Sequence, residues 1–368
     1  MRNKMIREIA KKLLLLTFYK LGFADKNTTP GLLVLTYHRI SERPDPTDPL
    51  KISVSMFENQ IRFLKANYSI VSTHDLSDAI TGVRKLPDKA CLITFDDGWQ
   101  DNYTMGLPVL KKYRVPALIF LSTDYIGTGK LFWQVRLRTM LNQEVMNSSF
   151  VENVGSHWPH ELAEKIRALC RLPVKQRGDL INDLIECLKV FSLKQIEDLV
   201  PCSVGHPMKE ANESNGAMLS WDQVTEMSKK DISFGSHARS HEILTHLKEN
   251  DLRDELIGSK AILENKLGQP VHFIAYPNGD YNKFTLRMAK EVGFQAGFTC
   301  RPGLNRCLEN SLELKRINMG EDSASGLSGQ FSPLFYKIEL LGIRFILKKI
   351  MHRECIGGSS APLDINSH

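Results

Sequence analysis

The chain has 368 residues, of which 42% are hydrophobic and 24% charged, a globular balance that excludes a collagen-like rod, a low-complexity scaffold and a largely disordered tail. The formal net charge is +6, but residues 1–20 carry +5 and Phe331–Cys355 carry +3. The body between them therefore has no basic footprint, and nucleic-acid binding loses its support. Seven cysteines, an odd number with no C-x-x-C pair, read neither as a disulfide framework nor as a zinc finger, and point to a reducing compartment.

In chain order, Leu13–Tyr19 is an apolar run closed by Lys20 with no A-x-A cleavage pattern. It is too short to cross a bilayer and a poor secretion signal. Residues 1–29 read instead as a basic amphipathic segment, and residues 321–368 as a basic amphipathic helix and tail, with Leu334, Ile338, Leu341 and Phe345 beside Lys337, Arg344, Lys348 and Lys349. Two alternatives stand for these ends: ordinary packing on the body, or attachment to an anionic membrane surface. The expected location is cytoplasmic, on the inner face of the membrane if the ends bind lipid.

Between the ends, Gly31–Tyr37, Ser69–Ser72, Ala90–Phe95 and Ala117–Ser122 are short apolar or branched runs expected as strands. Helical spacing over Met56–Tyr68 and from Asp75, and again around Tyr103–Tyr113, separates them. From about 133 to 218 the alternation lapses into an α-helical insertion, with helices expected at Glu161–Cys170, Gly178–Val190 and Ser192–Leu199. Strands resume at Ile232–Ser236, Val271–Tyr276, Ala296–Thr299 and Leu312–Ile317, with helices at Leu252–Lys266 and Lys283–Glu291. Repeated β-α-β alternation with seven or eight strands predicts an α/β fold over residues 30–320, a distorted (β/α)7-type barrel carrying that insertion. Reactive groups in such barrels gather at the carboxyl ends of the strands.

Four clusters fall at such ends. Cys91–Phe95 runs into Asp96-Asp97-Gly98, two adjacent carboxylates that repel one another unless a cation neutralises them. A helix N-cap would account for one aspartate but not for two. Phe234–Ser236 runs into His237 and His241, which lie on one face if the segment turns helical. Two imidazoles and a carboxylate make a catalytic rather than a closed structural metal set. Phe273–Tyr276 ends in Pro277-Asn278-Gly279, which alone would be a β-turn, and Leu35–Tyr37 ends in His38, which alone would be a structural histidine.

At these residues the chain resembles the polysaccharide deacetylases, the NodB-homology group or carbohydrate esterase family 4. Thr94-Phe95-Asp96-Asp97-Gly98 is similar to the family's first motif and Ser236-His237 through His241 to the second, with Ala238 where serine or threonine is usual. The resemblance implies Asp96 as general base, Asp97, His237 and His241 as metal ligands, and Tyr276-Pro277-Asn278 as a groove wall with the Asn278 N–H facing the oxyanion. Tyr37-His38 is similar to the N-terminal Tyr-His of permuted members, which makes His38 the general acid. Two family features have no counterpart in sequence: the arginine that usually precedes the third motif and steadies the base, and the late leucine-x-histidine, since Leu312–Ile317 contains no histidine.

The implied activity is metal-dependent hydrolysis of the N-acetyl group of an amino sugar in a polysaccharide or lipid-linked glycan. The ion lowers the pKa of water it binds towards about 7. The N,N,O set puts zinc first, with cobalt, nickel, manganese or iron as alternatives. Among the aromatic residues Trp99, Tyr103, Phe132, Trp133 and Trp221, Trp133 leads as a sugar-stacking surface because the insertion begins there. The competing readings are an N-deformylase or amidase acting on a lipid-linked sugar, and a catalytically silent glycan-binding or membrane-scaffold protein.

Overall fold

The computed structural model describes residues 2–21, 31–45, 48–142, 159–172, 177–199 and 217–345. Parts of the expected insertion (143–158, 173–176 and 200–216), residues 22–29 of the N-terminal segment and the tail from 346 lie outside the described residues. Among the described residues ten strands form: β1 Leu32–Tyr37, β2 Arg39–Ser41, β3 Lys51–Ser53, β4 Ser69–Ile70, β5 Ala90–Phe95, β6 Ala117–Leu121, β7 Ile232–Ser236, β8 Phe273–Ala275, β9 Ala296–Phe298 and β10 Ile317–Asn318. Eight of them make one parallel sheet in the order β10-β1-β5-β6-β7-β8-β9, with β4 beside the start of β5. β2 and β3 pair separately, before and after the stretch that holds Pro44, Pro46 and Pro49.

Every residue of β1, β5 and β6 is buried, as parallel strands covered on both faces require. That is why these segments are continuous apolar runs rather than alternating ones. The edges approach one another through Leu314, which bridges to Phe298 of β9, while Ile317 pairs with Leu35 of β1. The expected strand Leu312–Ile317 is therefore not one strand. Its first part is a 3-10 turn, Ser311–Glu313, and the chain then steps from one sheet edge to the other, turning the sheet into the distorted, incompletely closed barrel that the alternation predicts.

Helices around the sheet begin where small polar residues cap them. Ser53 accepts from the Met56 N–H at the start of α2 (Val54–Asn67), and Ser72 with Asp75 makes a capping box for α3 (Thr73–Ile80). After the acidic pair the chain enters a π-helical turn, Asn102–Gly106, that leads into α4 (Leu107–Tyr113). The insertion contains the expected helices, here His160–Cys170, Gly178–Leu188 and Leu193–Leu199, and an additional one, Trp133–Leu141. Together they bury their own apolar cluster, including Leu137, Ile166, Leu184 and Leu188, separate from the barrel core. The N-terminal helix α1 (Arg2–Lys20) packs against the C-terminal helix Pro333–Leu340 around Leu15, Ile338 and Ile343.

Candidate active site

The carboxyl ends of β1, β5 and β7 bring His38, Asp96, Asp97, His237 and His241 to one cavity of about 440 Å³. Gly98, at φ +85, turns the chain sharply after the acidic pair where a Cβ would meet Leu121 at 2.6 Å. Asp97 itself has φ 78, and Ala238, His241 and Asn278 also occupy the left-handed region, at φ 60, 61 and 59. For alanine and histidine that conformation costs on the order of 1 kcal/mol or more each, and such cost accumulates where surrounding structure holds a functional geometry. The two histidines consequently do not share a helical face: the segment after β7 is a loop, and its left-handed turns, not helical spacing, aim both imidazoles at Asp97.

One Asp97 carboxylate oxygen lies 3.4 Å from His237 Nε2 and 3.3 Å from His241 Nε2. The donor atoms of all three residues fall within 4.8 Å of one another. The groups behind them fix their orientation. Trp99 Nε1 donates to the other Asp97 oxygen at 2.8 Å, and His237 Nδ1 is 2.7 Å from the Ala275 carbonyl, an outer partner of the kind that leaves Nε2 as the ligating nitrogen. Three converging lone-pair donors, two imidazole and one carboxylate, fit a divalent ion with room for further ligands from the cavity side. Burial opposes the Asp97 charge, yet hydrogen bonds from His237 and His241 hold its carboxyl well below the usual range. Burial likewise opposes charge on His237, but Asp96 and Asp97 outweigh it and raise the imidazole, whereas burial prevails at His241 and lowers it.

The group that steadies Asp96 is Arg316. Its two terminal guanidinium nitrogens each donate to one Asp96 oxygen at 2.7 Å, and its Nε donates to the Thr299 carbonyl at 2.9 Å. Both side chains are buried, and the fork-to-fork pairing fixes the carboxylate plane as well as its charge. Burial would raise the Asp96 carboxyl, but the Arg316 charge, followed by His237, holds it below the ordinary value. No arginine immediately precedes the Tyr276 motif, where the resemblance would place it; Arg316 lies instead immediately before β10. The available signal was a guanidinium between the apolar Leu314 and Ile317, where a charge buries only with a partner.

His38 Nε2 stands 4.0 Å from Asp96 Oδ2, its Nδ1 is buried with no hydrogen-bond partner among the described residues, and its carbonyl accepts from Asn102 Nδ2 at 2.8 Å. Asn278 borders the cavity, but Tyr276 and Pro277 do not. Tyr276 is a core side chain whose hydroxyl donates to Leu312 O at 2.9 Å, so its ring is no groove wall. Trp133 borders the cavity at the first turn of its helix, as do Trp99 and Phe132, whereas Tyr103 and Trp221 do not. The opposite wall comes from the insertion, with Ile185, Lys189, Phe191 and Ile196, none of which sequence reading singled out.

Fold and site together match the class of carbohydrate deacetylases built on a β/α barrel. The polysaccharide deacetylase family model matches residues 83–165 and 202–297, and the chain belongs to that family. A Bacillus subtilis (strain 168) protein named YxkH, provisionally assigned as a polysaccharide deacetylase, is 25% identical over 306 residues, 83% of this chain and 76% of that protein. A poly-beta-1,6-N-acetyl-D-glucosamine N-deacetylase of Staphylococcus epidermidis (strain RP62A) is 33% identical over 146 residues, 35% of this chain and 48% of the relative, so the match spans about half of that protein. The solved structure of the Streptococcus pyogenes deacetylase PplD in complex with acetate shares the fold, with a TM-score of 0.54 at 21% identity over 84% of this chain and 97% of that one.

Proposed function

We propose that this chain removes the acetyl group from an N-acetylated amino sugar in a polysaccharide or lipid-linked glycan, with Asp97, His237 and His241 holding one divalent ion, zinc first. The observation that carries the reading is the convergence of those three donors within 4.8 Å beside an Asp96 clamped by Arg316. A bound divalent ion supplies Lewis acidity, which acidifies water and polarises the amide carbonyl. Asp96, kept ionised and oriented by Arg316, accepts the proton from the attacking water. The backbone N–H of Asn278 faces the oxygen on which negative charge develops; a single such donor is typically worth on the order of 10²-fold in rate. His38 delivers a proton to the departing amine nitrogen, which would otherwise leave poorly. The products are acetate and a free amino sugar.

Support for a glycan substrate comes from family membership and from the named activity of the staphylococcal relative. Trp133 and Phe132 border the cavity, although both rings are largely buried in the flanking apolar clusters. The test is metal analysis of the purified protein followed by acetate release from chitin oligomers and from poly-N-acetylglucosamine. Metal present together with acetate release is expected; metal present with formate release alone, or with no turnover on any glycan, would overturn the reading.

A further inference from the structure

Over residues 10–21 the N-terminal segment carries apolar residues on two faces. Leu15 is buried against the C-terminal helix, with Leu16, Phe18 and Tyr19 packed beside it. The opposite face, through Ala10, Leu13, Leu14, Thr17 and Leu21, is exposed and follows helical spacing of three and four residues. The hydroxyl of Thr17 donates back to Leu13 O at 3.0 Å, so even this residue turns its polar atom into the helix. Leu334 and Phe345 add to the set: of the ten large exposed apolar residues in the described structure, Leu13, Leu14, Leu21, Leu334 and Phe345 belong to this helix pair or its flanks. With Leu15 already buried on one side, the exposed apolar stripe is a second face still to be covered in water.

Charge indicates what covers it. Phe345 also borders a second cavity, of about 500 Å³, whose other lining residues include Arg301, Arg306 and Lys315 against the single carboxylate Glu313. This cavity lies by the amino end of β1, where Leu32 and Asn305 exchange backbone hydrogen bonds, away from His38 at the other end of that strand. Lys20 closes the helix beside the exposed leucines, and residues 1–20 as a whole carry +5. A second copy of the chain seated on this face would set cations against cations across a two-fold axis. An acidic lipid surface has the complementary sign and accepts leucine side chains in its acyl boundary.

We propose that α1 and the C-terminal helix form a docking platform for an anionic bilayer, with Leu13, Leu14, Leu21 and Phe345 entering the acyl boundary and the cavity of Arg301, Arg306 and Lys315 receiving lipid phosphate. The platform neither spans the bilayer nor contributes to the catalytic cavity: no described helix is long and apolar enough to cross a membrane. The lipid surface is recognised by two features together, the apolar stripe of the helix pair and the cation cluster of Arg301, Arg306 and Lys315, which Phe345 borders.

The test is flotation of the full chain with vesicles of phosphatidylglycerol and phosphatidylcholine in equal parts, against phosphatidylcholine alone. Binding is expected to the acidic vesicles and to fall with added salt. The variant Leu13→Ser/Leu14→Ser/Leu21→Ser, altered only at exposed positions, should lose about tenfold or more of its vesicle partition while releasing acetate from soluble oligomers as the parent does. Arg301→Gln/Lys315→Gln should lose about fivefold per cation on acidic vesicles. Absence of flotation by the parent chain, equal binding to both vesicle types, or unchanged binding by the triple variant would overturn the proposal. So would light scattering that finds a dimer in the parent and a monomer in the triple variant without flotation, since the face would then join two copies.

Discussion

The catalytic cavity has two walls of different construction. The barrel wall is built from buried charges that neutralise one another, from left-handed backbone at Asp97, Ala238, His241 and Asn278, and from hydrogen bonds that leave few alternative geometries. The insertion wall rests on an independent apolar cluster and presents Trp133, Ile185, Phe191 and Ile196, with Lys189 paired to Glu186. Chemistry sits on the wall whose atoms are individually constrained. The other wall is made of members and neighbours of the insertion's own apolar cluster, so a change there acts on the insertion before it reaches the reacting groups.

Substitutions that act on one wall and spare the other sharpen this contrast. The largest effect belongs to Asp96→Asn, expected to lower acetate release by about 10³-fold or more while bound metal, measured by elemental analysis, remains; Asp97→Ala should lose the metal itself. Acetate release by Asp96→Asn at the parent rate would remove the base from the barrel wall. Arg316→Gln comes next, with kcat reduced by about 10²-fold and metal retained. Because Asp96 is held below its ordinary pKa chiefly by Arg316 acting against burial, loss of the guanidinium must move the acid limb of the activity profile to higher pH. Arg316→Lys should restore part of both. An unshifted acid limb would reduce Arg316 to a packing role.

On the insertion wall, Leu188→Ala removes a buried side chain from the separate cluster and should destabilise the insertion by about 2 kcal/mol. Limited proteolysis should detect it within the insertion, with metal content and barrel unfolding unchanged. Coupled loss of the metal would show that the walls are not independent. Trp133→Phe is the mildest change: KM for an oligomeric substrate is expected to rise about threefold with kcat nearly constant, as for lost uniform binding.

Much of the barrel was legible because parallel strands buried on both faces leave uninterrupted apolar runs, as at Ala90–Phe95 and Ala117–Leu121. The acidic pair was legible as adjacent carboxylates whose charges need a partner, and the two histidines as imidazoles four positions apart at a strand end, although a loop and not a helical face brings them together. What escaped was set by tertiary context. Arg316 meets Asp96 across 220 positions, a pairing that no local pattern encodes. The strand expected at Leu312–Ile317 is broken because this segment serves two sheet edges. Tyr276 stands in a turn motif, yet its hydroxyl finds Leu312 in the core, so its position in the motif did not disclose its direction. The helix Trp133–Leu141 lacks a side-chain cap at Phe132, and with it the usual signal of a helix start.

The placement of Arg316 has a consequence for the order of events during synthesis. A ribosome delivers both aspartates and both histidines long before it delivers the guanidinium, and the sheet edge that carries it docks on β1 only after nearly the whole barrel has emerged. A nascent chain could thus gather its metal donors while the clamp on Asp96 is still missing. On the proposed function, hydrolytic competence arrives late, as a property of the finished polypeptide, and a prematurely terminated product would present Asp97, His237 and His241 without a correctly held Asp96.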